Sequence, residues 1–346
     1  MEDRKNGQLR ERVAYLDALR IAATLAVMGI HLAATGYTEA VPKSYEWTVC
    51  LIYNTLTRFA VPVFVMISGA MYLDPGREVT MNQILKKSGK LMVVFLFWSL
   101  GYALMESMKE NRILSVDYAV AVAHRLVSGH YHMWYLYTIT GLYLATPFLR
   151  PIAANRKLLQ VYLVMTFLLN FCLRMITWIP GWEETAGNVL NHANAGVFAG
   201  YTGYYCLGYY LHTGDFTKKQ IRGILFPALA LMATSVGIGI WLERPALAFS
   251  ENMPQIFLYS AGVFLFFKSR AQQLETGRRF MQRIIPCTFG MYLIHPVFNF
   301  LLRKAGLFAL TFNPLMCVPL CMSLVFGISF SAVWCMRKIP ILKKLT

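Results

Sequence analysis

The chain has 346 residues, of which 57% are hydrophobic and 14% charged, and its formal net charge is +16. Apolar runs of this length exclude an ordinary soluble domain, and no nucleic-acid-binding motif accompanies the positive charge. Ten stretches approach the ~20 apolar residues that a spanning helix needs: 13–35, 48–73, 87–106, 133–149, 158–178, 196–212, 221–242, 253–268, 284–303 and 312–336.

The expectation is therefore an all-α, polytopic transmembrane bundle of about ten spans. It forms one domain over 1–346, with a short N-terminal segment (1–12) and a short tail (337–346). Arg20, Arg58 and Arg174 fall within spans. Of the other Lys and Arg residues, 23 lie in the N-terminus, the even-numbered loops and the C-terminus, and 7 in the opposite loops. By the positive-inside rule both termini are cytoplasmic, and topology accounts for most of the net charge. The basic N-terminus precedes an apolar run too long for a signal peptide and without a convincing cleavage site, so it reads as a retained helix.

Taken in chain order, span one carries the first unusual feature. Asp17, Arg20 and His31 interrupt the apolar sequence YLDALRIAATLAVMGIHLAATGY. Titratable groups at membrane depth are costly and persist mainly where they line a cavity or do chemistry. Eleven residues is close to three helical turns, so Arg20 and His31 share a face, separated by ~16 Å along the axis. An imidazole in the outer half of the bilayer can accept a proton from a hydroxyl near neutral pH. The plainer alternative is a hydrogen-bonded core histidine. Asp17, one turn before Arg20, is placed to pair with and orient the guanidinium.

Span two contains Arg58 in TRFAVPVFVMISG, followed by Pro62 and the Ser68-Gly69 pair. The proline frees a backbone carbonyl and the small pair lets backbones approach, which predicts a kinked helix around a cavity. An arginine that merely ties two helices together is compatible with the same pattern. Ser68 serves more simply in a close helix contact than as a nucleophile. At the start of span three Lys86, Lys87 and Lys90 crowd one mouth of the bundle. They suit inside-positive topology, and equally an anionic ligand whose phosphates would be held by side chains.

Two extramembrane stretches stand out. Residues 107–132 contain a moderately apolar piece, SVDYAVAVAHRLVSG, that suits a helix lying on the membrane, and residues 179–195 are polar and Asn-rich. Long loops over a bundle often cap a site. His132, Trp134 and Tyr135 enter span four where interfacial aromatics are common, and lining a pocket is the alternative role. Tyr292 and His295 lie in span nine before the helix-kinking Pro296, where they pack helices or line a site, packing being favoured. The seven cysteines include no CxxC pair, and Cys317 and Cys321, one turn apart, read as packing residues rather than metal ligands. No metal is expected.

Several segments, in order and spacing, carry a resemblance: YLDALR with the arginine and His31 eleven residues apart, RFAVPVFVMISG at 58–69, KKSGK, HMWYLYTITGLYLATPFLRP at 132–151, YYCLGYYL at 204–211 and TFGMYLIHP at 288–296. Along nearly its whole length the chain resembles the acyltransferase family 3 membrane proteins. Lys87 and Lys90 stand where the family often has two arginines, which keeps the charge but weakens bidentate phosphate recognition.

The resemblance implies a multi-pass protein of the cell (plasma or inner) membrane. Such a protein moves an acyl group, usually acetyl, from cytoplasmic acyl-coenzyme A to a hydroxyl or amine of an extracytoplasmic acceptor, very often a cell-envelope glycan. Coenzyme A's phosphates would sit near Lys86, Lys87, Lys90 and Arg20, with the thioester reaching His31. His31 would act as base or as acyl carrier and Arg58 would stabilise the oxyanion. Besides membrane lipids, acyl-coenzyme A and the acceptor, a homodimer is compatible with the sequence. The alternative is a transporter for a small polar solute such as an amino acid, which the same broken helices and buried charges would suit.

Overall fold

In a computed structural model of the chain, which describes residues 13–109, 116–179, 181–192 and 200–346, every regular element among those residues is helical. Seven helical segments are long and apolar enough to cross a membrane: 14–39, 45–72, 81–106, 156–178, 218–241, 278–304 and 314–336. The protein is thus an all-α, multi-pass membrane protein.

Helix α1 (Ala14–Glu39) runs through the middle of the bundle. Ser44 starts α2 (Tyr45–Thr57) by accepting a hydrogen bond from Trp47 N at 3.1 Å, a standard N-cap. The predicted span 48–73 is two helices rather than one. It breaks at Arg58-Phe59, and α3 (Ala60–Tyr72) resumes the path. Pro62 explains the position, because its ring clashes with the carbonyl four residues earlier, that of Arg58.

Helix α4 (Met81–Lys109) leads to α5 (Val116–Ser128), the piece expected to lie on the membrane; residues 110–115 are outside the described set. Helix α6 (Trp134–Ala154) ends at Asn155, whose side chain accepts from Leu158 N at 3.1 Å to begin α7 (Arg156–Thr166). The path of α7 continues as a π-helix (Phe167–Cys172) and a 3-10 helix (Leu173–Trp178). Helix α8 (Glu183–His192) lies within the polar stretch predicted to cap a site.

Helix α9 (Thr202–Thr213) is much shorter than the predicted span 196–212, whose start lies in residues outside the described set. Twelve residues rise only ~18 Å. What holds α9 is contact with α3 at backbone distance. A Cβ at Gly69 would fall 1.8 Å from Tyr205 O, and one at Gly208 would fall 2.0 Å from Met66 O. Gly69 of the Ser68-Gly69 pair does serve close helix approach.

The remaining elements close the bundle. Helix α10 (Lys218–Trp241) opens with a Thr217–Gln220 capping box and leaves Phe226 and Trp241 exposed, as an outer helix in lipid does. Helix α11 (Ala246–Phe249) and α12 (Pro254–Ser269) follow, and then the short α13 (Ala271–Glu275). Helix α14 (Arg278–Ile284) passes through a 3-10 turn into α15 (Thr288–Lys304). Helices α16 (Pro314–Met336) and α17 (Pro340–Lys343) finish the chain. Cys317 and Cys321 are free and buried, with sulfurs 3.9 Å apart, in an apolar cluster with Met28 and Met291.

Candidate active site

Two adjacent cavities run along the face of α1 that carries both Arg20 and His31. The near cavity, toward the end where α1 begins, has a volume of 210 Å³ and is walled by Arg20, Ser68, Tyr135, Tyr143, Thr288 and Tyr292, with apolar Phe64, Ile67, Ile285 and Phe289. The far pocket is only 50 Å³, and its walls include His31, Arg58, His132, Trp134 and Glu251. Tyr135 and Tyr292 belong to both, with ring centroids 5.8 Å apart at 74°. These two rings separate the spaces.

The far pocket is a histidine cluster. The His31 ring stacks on His295 at 5.1 Å and 24°, and meets Tyr131 edge-on at 4.9 Å and His132 at 6.4 Å. His295 Nδ1 lies 2.7 Å from Tyr292 O. A carbonyl only accepts, so Nδ1 carries the proton and the Nε2 lone pair of the neutral ring remains. Among the described residues that Nε2 is buried without a hydrogen-bond donor. His132 Nε2 lies 3.3 Å from Leu293 O, its Nδ1 is 2.9 Å from His130 Nδ1, and its carbonyl accepts from Tyr292 OH. His130 continues to Glu106 Oε1 at 3.4 Å. Burial pushes the Tyr131 hydroxyl up to about 12, so beside His31 it stays a neutral phenol.

Arg58 sits at the break between α2 and α3, where the interrupted helix turns it into the pocket. Its Nε donates to Asn54 Oδ1 at 3.0 Å and its Nη1 to Glu251 Oε1 at 3.4 Å, while Phe249 covers the guanidinium at 4.7 Å. Glu251 is in turn held by Tyr201 OH at 2.7 Å, and its carbonyl accepts from Tyr204 OH at 2.9 Å. Among the described residues Arg58 Nη2 makes no hydrogen bond, so a fixed cationic donor remains next to His31. Arg58 both ties helices and lines the pocket, which unites the two sequence readings.

The near cavity is built with looser contacts. Arg20 Nη2 approaches Met71 Sδ at 3.9 Å. Asp17 is buried on the same helix, one turn before Arg20. Lys87 Nζ lies over Tyr72 at 3.8 Å and over Tyr143 at 4.0 Å, and donates to Tyr72 OH. Because Tyr143 also walls the cavity, Lys87 is adjoining it. Lys86 and Lys90 are exposed and line neither cavity. The Ser68 hydroxyl interacts with those of Tyr135 and Tyr143 and belongs to the near cavity rather than to the histidine cluster.

The fold therefore brings His31, Arg58, His132 and Trp134 into one pocket and Arg20 and Ser68 into the next, with Tyr292 between. His295, expected chiefly to pack, lies against His31. Sequence reasoning missed Glu251, His130, Tyr131 and Glu106. The HYH triplet at 130–132 was a signal for two of them. Nothing in SENMPQ marks Glu251, whose importance depends on Arg58, 193 residues away.

A helical membrane protein with buried cations and histidines around two adjacent cavities is the class that this architecture defines. The family model described as acyltransferase domain matches residues 13–334. The chain belongs to the acyltransferase family 3 and is a membrane acyltransferase. Neither a curated protein nor a solved structure matches it.

Proposed function

We propose that the protein transfers an acyl group, acetyl in the first instance, from cytoplasmic acyl-coenzyme A to a hydroxyl (or amine) of an extracytoplasmic acceptor, a cell-envelope glycan, across the plasma membrane. The observation that carries this reading is the pair of cavities on one face of α1. A basic cavity at Arg20 and a histidine pocket at His31 are parted only by Tyr135 and Tyr292. The charge bias of the sequence puts the Arg20 end at the cytoplasm.

In this reading Arg20 and Lys87 attract the phosphates of the donor, and its flexible arm passes the two tyrosines to bring the thioester to the far pocket. His31 takes the proton of the acceptor hydroxyl as its oxygen attacks the thioester carbonyl. Arg58 Nη2 meets the negative charge on the tetrahedral oxygen. The carbon–sulfur bond then breaks, and His31 returns the proton to the leaving thiolate, so no net proton is released. His295 Nε2 accepts from a second hydroxyl of the acceptor and so orients it. A fixed, neutral tautomer is what that task requires.

Vesicles with the protein in one orientation test the reading. Acetyl-coenzyme A on the side of the N-terminus is expected to acetylate an impermeant glycan acceptor on the opposite side only. If donor and acceptor must share the cytoplasmic side, the threaded passage is wrong. The helix broken at Arg58 also suits a transporter, and the same vesicles separate the two: solute exchange without acyl-coenzyme A consumption overturns acyl transfer.

A further inference from the structure

A third and larger cavity opens at the far end of the bundle. It measures 650 Å³, within the ~300–1,000 Å³ of ordinary ligand sites, and is walled by Tyr37, Arg174, Trp178, Glu183, Glu243 and Arg244, among others. Ser250 and Asn252 line it, while Glu251 between them lines the His31 pocket. One residue of chain divides the two spaces. Tyr37 joins them as well: it packs on Phe249 at 5.9 Å, the ring that covers Arg58.

The lining carries two arginines and two glutamates, and both glutamates are engaged by cations other than Arg174. Glu243 pairs with Lys43 at 2.7 Å and Glu183 with Arg244 at 3.2 Å. Hydrogen bonds from backbone N–H groups and the Arg244 guanidinium hold Glu183 below the usual carboxylate range, so that pair is intact at neutral pH. Arg244 is further anchored by Trp178 O at 2.8 Å. Arg174 alone of the lining cations has no ion pair among the described residues, and its Nε is buried without a hydrogen-bond partner. It stands in the 3-10 stretch that follows the π-helical part of the α7 path, a change of winding frequent at functional sites.

We infer that the vestibule is the acceptor site and that Arg174 selects acceptors bearing a negatively charged group, a carboxylate or a phosphate on a saccharide. Trp178 and Tyr37 offer flat apolar faces for the sugar ring, and the unpaired guanidinium supplies a planar donor fork. The acidic group held at Arg174 positions a neighbouring hydroxyl over the Ser250–Asn252 divide, toward His31. This inference rests on the acyltransferase reading for its purpose, though the binding it asserts is independent of catalysis.

The test is equilibrium binding to the purified full chain in detergent micelles. Three probes are compared: N-acetylglucosamine, N-acetylmuramic acid, which adds a carboxylate, and N-acetylglucosamine 6-phosphate. Both charged probes, or one of them, should bind about tenfold tighter than the neutral sugar, the scale of one charge-assisted hydrogen bond. Which charged probe gains more tells carboxylate from phosphate. Arg174→Gln should erase the difference and Arg174→Lys retain part of it. Glu183→Gln, which frees Arg244, should strengthen charged-probe binding in a chain with Arg174 intact. The inference is overturned if no probe binds, if charge makes no difference, or if Arg174→Gln leaves the difference in place. Absence of acyl transfer with binding intact would instead refute the proposed reaction and leave the site.

Discussion

In the far pocket the Arg58 guanidinium is fixed by Asn54 and Glu251, and Glu251 is itself fixed by two tyrosines. In the near cavity Arg20 meets a thioether, and Lys87 lies between two aromatic faces. The spaces differ too, 50 Å³ against 210 Å³. A reaction centre needs donors held in place before charge develops, since reorganising them during the reaction would raise the barrier. A mouth for a flexible polyanion needs point charges that adapt, and aromatic faces hold an ammonium without neutralising it. In the proposed reading the fixed far pocket carries the chemistry and the looser near cavity the capture of the donor.

The largest test of that division is His31→Ala. Transfer should fall ~10²–10⁴-fold, the share of a general base, or further if His31 carries the acyl group, while acyl-coenzyme A binding by calorimetry stays near the wild-type value. Full-rate transfer in a properly inserted variant would remove His31 from the mechanism. Next in size is Arg58→Gln, expected to lower kcat ~10²–10³-fold as the loss of one oxyanion donor does. Arg58→Lys should recover little, because lysine cannot keep Asn54 and Glu251 bonded while facing the pocket. Thermal unfolding of both variants separates this loss from that of the helix tie.

His295→Phe keeps the ring stacked on His31 but removes Nε2. Steady-state kinetics should show kcat reduced ~10-fold or more, within the range of a positioned acceptor, with the donor KM unchanged. An unchanged kcat would return His295 to packing. At the near end Lys87→Met should weaken acyl-coenzyme A binding ~10-fold, with kcat nearly intact, because such a charge acts on ground and transition states alike. The binding should weaken as salt rises. Lys86→Met and Lys90→Met, on exposed positions, should each change affinity by no more than about twofold, the smallest effect in the series. Equal effects at all three lysines would mean that the mouth recognises the donor by diffuse charge rather than through the Tyr72–Tyr143 clamp.

The membrane class, the helical architecture, the placement of Arg20 and His31 on one face and the interruption near Pro62 were all legible in the sequence. These are local matters of hydropathy, helical period and proline sterics, each readable within some twenty residues. The sequence also placed Ser68-Gly69 in a close helix contact, although the partner, the backbone of α9, was not legible. Which distant groups meet around these residues came from packing alone. Glu251 finds Arg58, His295 stacks on His31, and Arg20 lies beside Met71. The physical reason is that a polar group buried in a bundle must be satisfied through space by whichever helix packs against it, and helix packing is not encoded in the spacing of any one segment.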